Sequence, residues 1–291
     1  MILSRALLSI LALFFGIVLY LVFMRDLDQW RWAILPLIVI AIVTYIFSSE
    51  LNHWWLNRYP TDVDKKEHQF LLRHHPYYKG LSPGRQKQYG RECISFHRKR
   101  DFILQGIPNF PDDVKVLWSA QALDLKYLLD LPDPGLNHYE TVVVYPHPFI
   151  TPEIDHVHAS ETHHEEGVWL FSVEQVIFGM TQSSRFFNIV LYEFIRAARQ
   201  QHPEWLKEIE EQDIDDLRHV RLELSNISDE HIKSWLNVSG IDWRSAYLTI
   251  LVSHWPYWRV MHPQSIDRIP IARYIQDVYQ RIEVPIPADL A

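Results

Sequence analysis

The chain has 291 residues, 48% hydrophobic and 13% aromatic, enough to bury one large core or two modest ones. Formal net charge is -8; residues 1–60 hold four Arg and three acids, so the remainder carries -9, which argues against nucleic-acid backbones as partners. The single cysteine, Cys93, excludes an internal disulfide framework and a Cys-rich metal site, and reads as a buried free thiol.

Ile2–Phe23 is an almost continuous apolar run, long enough at about 1.5 Å per residue to cross a bilayer. A second run, Trp32–Phe47, follows a short link containing Arg25, Asp26, Asp28 and Arg31, with Trp30, Trp32, Trp54 and Trp55 at its ends as an aromatic belt. The first run is too apolar for too long to be a signal peptide, and no small-residue cleavage site follows it. Two spans with a short link predict a transmembrane hairpin over residues 1–56. Arg5, Arg58, Lys65 and Lys66 flank it on one side, a bias that places both ends in the cytoplasm. Residues 57–78 read as a juxtamembrane connector.

Gly80–Gly84 matches G-x-S-x-G, but no strand precedes it. Ser82 followed by Pro83 reads instead as a helix cap with proline in the first turn, not as a nucleophile elbow. That helix is expected from about Pro83 to Phe102, ending in a solvated or membrane-facing basic patch of His97, Arg98, Lys99 and Arg100. Val114–Leu131 is a second helix, closed by Pro132, Asp133, Pro134 and Gly135. Thr141–Tyr145 is the clearest strand, and Gly167–Ser172 is another. Between them, residues 155–166 hold four His and four acids. No pattern fixes those side chains, so a mobile, solvated loop is expected rather than a metal cluster.

Asn188–Gln200 is a helix apolar on most sides, with Tyr192, Glu193, Arg196, Arg199 and Gln200 in one stripe. The stripe reads either as a solvated face or as the floor of a cleft. His202–Trp205 begins a further helix, and the acids from Glu208 to Asp216 form a solvated face. Asp229–Leu236 is a short helix capped by Ser228, Asp242–Trp258 is a core helix, and Ile271–Ile282 is the last.

In this order the elements resemble the MtfA family of zinc-dependent, gluzincin-like peptidases, over roughly Tyr77 to Tyr279. Leu81-Ser-Pro opens one helix of the pattern and Ser119-Ala-Gln-Ala122 lies in the next. The strand Tyr139–Phe149, with V-V-V-Y-P-H-P-F, and Gly167-Val-Trp-Leu-Phe-Ser172 follow, and Asn188–Arg196 sits where the family carries N-V-V-L-H-E-F-A-H. The resemblance implies an α+β, zincin-like and mostly helical domain with a small sheet over residues 79–284, preceded by two transmembrane helices and followed by a tail at 285–291.

The departures matter more. In H-E-x-x-H two histidines bind zinc and the glutamate activates the metal-bound water. Here Tyr192 and Arg196 occupy the ligand positions and Glu193 alone remains, as a vestigial general base. The third ligand, a later glutamate, falls in Val252–Trp258, where His254 is nearest. Arginine has no lone pair to donate, and a phenol of pKa ~10 is a poor ligand at neutral pH. At i, i+3 the Arg196 guanidinium can stand in for the metal's charge beside Glu193, with Arg199 also lining the cleft.

The expected function is therefore a membrane-anchored pseudopeptidase that binds a cytoplasmic protein or peptide. Its expected location is the bacterial inner membrane, multi-pass, in contact with the lipid bilayer, with the larger domain in the cytoplasm and no cofactor. The alternative is a zinc metallopeptidase with a rewired site drawing on His254, the His156–His164 loop and Glu193. A purely structural membrane hairpin with a folded cap is a third class.

Overall fold

The computed structural model describes residues 2–24, 28–128, 134–203, 218, 227–238 and 240–261. The expected helix at 271–282, the tail and the acidic run at 208–216 lie outside them. The chain divides into two compact units, Met1–Thr61 and Asp62–Ala291.

In the first unit, helix α1 (Ile2–Met24) contains a 22-residue stretch long and apolar enough to cross a membrane. The second expected span is not a matching helix. α2 (Ile34–Ile46) has 13 residues, about 20 Å at 1.5 Å each, against a hydrocarbon core of about 30 Å. Beyond Ile46 the path bends by 73° before α3 (Ser48–Arg58), and α2 and α3 together match a broken span. Ser48, Ser49 and Glu50 interrupt the apolar run at that bend. α1 packs against both α2 and α3. The Asn52 side chain joins α3 to α1 by accepting from the Ser4 N–H at 3.0 Å and donating to Ser4 Oγ at 2.9 Å. Leu13, Phe14, Phe23, Leu35, Tyr45 and Ile46 stay exposed.

The second unit is mostly helical around a small mixed sheet. α4 (Lys65–His74) starts with a full capping box between Asp64 and Glu67, and α5 (Pro76–Gly80) follows. His75 accepts from the Tyr78 N–H through Nδ1 and donates through Nε2 to Asp124, at 3.1 Å each. The second half of the expected connector thus supplies Leu71, Tyr77 and Tyr78 to the core.

α6 (Pro83–Arg98) does begin after Ser82 with proline in the first turn, although the Ser82 hydroxyl makes no cap hydrogen bond. It stops at Arg98, short of Phe102, because the chain turns into strand β1 (Asp101–Leu104). That turn dismantles the basic patch. His97 and Arg100 go inside, where the Arg100 guanidinium donates to the carbonyls of Phe96 and Leu136 at 2.6 Å each. Its carbon lies 3.4 Å from the Phe96 ring centroid, a cation–π contact out of water. Burial pulls this guanidinium down to about 9, with the Glu140 charge acting the other way.

α7 (Asp112–Leu128) leads to β2 (Thr141–Tyr145). β3 (Ser160–His163), β4 (Val168–Ser172) and α8 (Val173–Thr181) follow. The sheet order is β1-β2-β4-β3, with β1, β2 and β4 parallel and β3 antiparallel at the edge. β2 and β4 lie inside the sheet and are rich in Val, Leu, Trp and Phe, as internal strands require. The expected mobile loop is thus an edge strand over four residues, in register from Ser160 opposite Phe171 to His163 opposite Val168. Its sequence has no apolar residue to mark it, because one of its faces meets a buried polar group.

α9 (Ile189–Gln201) runs through the middle of this unit, packed by α7, α8, β3 and a later helix. Asn188 caps it, its Oδ1 accepting from the Leu191 N–H at 3.2 Å, and its Nδ2 donates to Gln121 at 2.7 Å. Gly179 permits the close approach of α8: a Cβ there would lie 2.6 Å from the Phe187 carbonyl oxygen. α10 (Asp229–Leu236) is capped by Ser228 as expected, and α11 spans Trp243–Met261.

His97 gives the unit an acid-side sensitivity. Burial, helped by the Arg98 charge, lowers its imidazole from an ordinary 6.5 to about 4. Below pH 6.5 the unfolded chain binds this proton and the folded chain does not, so stability is unaffected above that pH and falls as pH drops toward 4. The loss reaches about 3 kcal/mol. Urea unfolding followed from pH 7.5 to 4.5 should show that decline, and His97→Gln should flatten it.

Candidate functional site

α9 buries nearly its whole circumference, including the two residues that open its polar stripe: Tyr192 and Glu193 are each 1% exposed. A carboxylate so placed needs donors on every side. Glu193 has three: Oε1 accepts from Ser160 Oγ at 2.7 Å, and Oε2 accepts from Thr162 Oγ1 at 2.7 Å and from Arg196 Nη1 at 2.9 Å. The hydroxyls come from alternate residues of β3, which share one face of the strand. The guanidinium comes from the next turn of α9.

Arg196 is the partly exposed member, its side chain 30% accessible. The Glu193 charge holds its guanidinium above the ordinary value against the opposite pull of burial. Its carbon also lies 5.5 Å from the Tyr192 ring centroid. Burial, with the Glu193 charge second, pushes the Tyr192 phenol well above its usual range, and its oxygen accepts the Asp242 N–H at 3.1 Å. Tyr139 and His164 stand at the border of this group, their Oη and Nδ1 2.5 Å apart. Burial, then the Arg196 charge, lowers the His164 imidazole.

Residues 51–198 match the model of the glucose-regulated metallo-peptidases, M90. The chain belongs to this family. The match ends two residues beyond Arg196, so it includes the region where the peptidase motif falls. Neither the curated proteins nor the solved structures contain a match.

A zinc ion of the kind a metallo-peptidase uses does not fit the residues found at the motif. Arg196 is cationic and is committed to Glu193. Tyr192 is a protonated phenol whose oxygen already serves Asp242. Glu193, 1% exposed, already accepts from three donors across its two oxygens. His254, nearest the third ligand position, lies on α11. Its Nδ1 donates to the Ile250 carbonyl at 3.0 Å, the backbone of Ser183 lies beside it, and burial lowers its imidazole. It shares no hydrogen-bond partner with Glu193 among the described residues.

Arg199, expected in a cleft, instead ties α9 to the start of α11. It pairs with the Asp242 carboxylate and donates to Ser245 Oγ at 3.1 Å. Ser160, Thr162 and Tyr139 were not singled out as site residues, and His164 entered only through the loop on which the metallopeptidase alternative drew. The one available signal was the alternation Ser-Glu-Thr-His, which sets two hydroxyls on a single strand face.

The polar group also sets an energetic expectation. Arg196→Met leaves a nearly water-free carboxylate with two hydroxyls and no counter-charge, and should cost about 3 kcal/mol. Adding Glu193→Gln removes the buried charge while keeping an acceptor for Ser160 and Thr162, and should recover more than half of that loss. Denaturant unfolding of the four chains as a double-mutant cycle reads the coupling directly.

Proposed function

We propose that this member of the M90 family is a membrane-anchored pseudopeptidase, a non-catalytic regulator that uses the retained fold to bind a protein or peptide. The observation that carries the reading is the sealed state of Glu193. The one motif residue capable of activating a water is held by two hydroxyls and a guanidinium, and both histidine positions are filled by side chains that cannot supply a zinc site. Positive charge beside the carboxylate is what a metal would otherwise provide. Arg196 provides it through a covalently attached group, so the helix keeps its electrostatic balance without an ion.

The apolar helix α1 supports an anchor. The broken apolar pair behind it, with the flanking Arg and Lys residues, supports a multi-pass arrangement in a bacterial inner membrane, the larger unit facing the cytoplasm.

Hydrolysis is the test. Incubated with unstructured protein substrates and peptide libraries, the detergent-purified full chain should cleave no faster than its Glu193→Gln variant. Cleavage that this substitution abolishes would make the chain a working peptidase and overturn the proposal. For the anchor, the chain should stay in the membrane pellet after alkaline carbonate extraction.

A further inference from the structure

Strand β3 has two polar faces, and only one of them is explained by Glu193. Ser160 and Thr162 turn inward to the carboxylate, while Glu161 and His163, at the alternate positions, turn to the opposite face. There they meet Glu153 from the preceding turn, and one donor atom from each of the three residues lies within 4.8 Å of the others.

The supports behind these atoms are in place. The Glu161 carboxylate is about nine-tenths buried and is oriented through Oε2, which accepts from Thr151 Oγ1 at 2.8 Å and faces His158 Nε2 at 3.1 Å. His158 is wholly buried, its Nδ1 donates to the His156 carbonyl at 2.9 Å, and its backbone pairs with Phe149. Glu161 Oε1 is thereby aimed at His163 Nε2, 3.2 Å away. That nitrogen is shut off from solvent and makes no hydrogen bond. On the far side of the ring, His163 Nδ1 lies 3.9 Å from the Glu166 carboxylate, a longer-range ion-pair contact. Among the described residues the ion-pairing neighbours of Glu161 are histidines, with no Lys or Arg to neutralise it.

Two ligands of one tetrahedral ion at bond lengths of about 2.0–2.2 Å stand about 3.3–3.6 Å apart, close to the Glu161–His163 separation of 3.2 Å. We propose that Glu153, Glu161 and His163 form a divalent transition-metal site, for zinc or an ion of similar preference, on the outer face of β3. One imidazole with two carboxylates suits such ions better than magnesium or calcium, which take all-oxygen shells. The ion ties the turn at Glu153 to the edge strand. β3 itself lies between the ion and Glu193, so the ion passes no water to that carboxylate, and the site is independent of whether the chain hydrolyses peptides.

The experiment uses the full chain in detergent, without a polyhistidine tag, stripped with chelator and titrated with zinc chloride against a chromophoric competitor. The expected result is one zinc per chain, with affinity lowered at least tenfold by His163→Ala and by Glu161→Gln and unchanged by His156→Ala. Absence of binding overturns the proposal. So does weak binding that His156→Ala reduces as much as the others, the mark of an adventitious ion only. The X-ray absorption spectrum of the zinc-loaded unsubstituted chain gives an answer even where a variant fails to fold. A nitrogen/oxygen shell with a single imidazole supports the site, and several imidazoles or a sulfur ligand overturn it.

Discussion

Burial of the Glu193 carboxylate is the constraint on which the rest of the second unit depends. Moving an ionised group out of water costs several kcal/mol unless its lone pairs are answered, and here the answers come from two different elements. Ser160 and Thr162 can reach it only if β3 lies against α9 in one register, since a shift of one residue would turn both hydroxyls away. The same register sends Glu161 and His163 outward. A single buried charge therefore sets which residues the edge strand offers to each side.

The opposite side of α9 is held by dispersion and burial rather than charge. Phe194 meets Trp118 of α7 at 4.9 Å between ring centroids and Trp169 of β4 at 4.7 Å, with Trp118 edge-on. Phe96 of α6 closes the cluster against Trp118 at 5.6 Å and Phe194 at 6.2 Å, and also meets the buried Arg100 guanidinium. α9 is thus a helix between an aromatic floor and a polar wall, which explains why so little of it is exposed. Arg100 and Glu193 show two ways to keep a charge inside: one is answered by carbonyls and a ring face, the other by hydroxyls and a counter-ion.

Membership of a metallo-peptidase family and a motif unsuited to zinc stand together without conflict. The framework has to bury α9, and that demand is met by packing and hydrogen bonds whatever occupies the ligand positions.

The sequence by itself determined the elements whose signals are local. Thr141–Tyr145 is a strand because its β-branched run is stopped by Pro146 and Pro148, and Asp229–Leu236 is a helix because Ser228 caps it. The order of motifs carried the family. The replacement of both histidines was equally plain, and the i, i+3 spacing of Glu193 and Arg196 anticipated their pairing. Tertiary structure alone decided what depends on residues far apart in the chain. The basic patch after α6 read as surface because four adjacent cationic or imidazole side chains usually are, yet the turn into β1 carried His97 and Arg100 inside. The His- and Glu-rich segment read as loop because it is mostly polar and carries no helix or hairpin pattern. Its strand exists because β4 supplies backbone partners and α9 supplies a carboxylate for its hydroxyls. Periodicity reports which side of an element differs from the other; only the neighbour across the interface decides whether a polar side faces water or a buried charge.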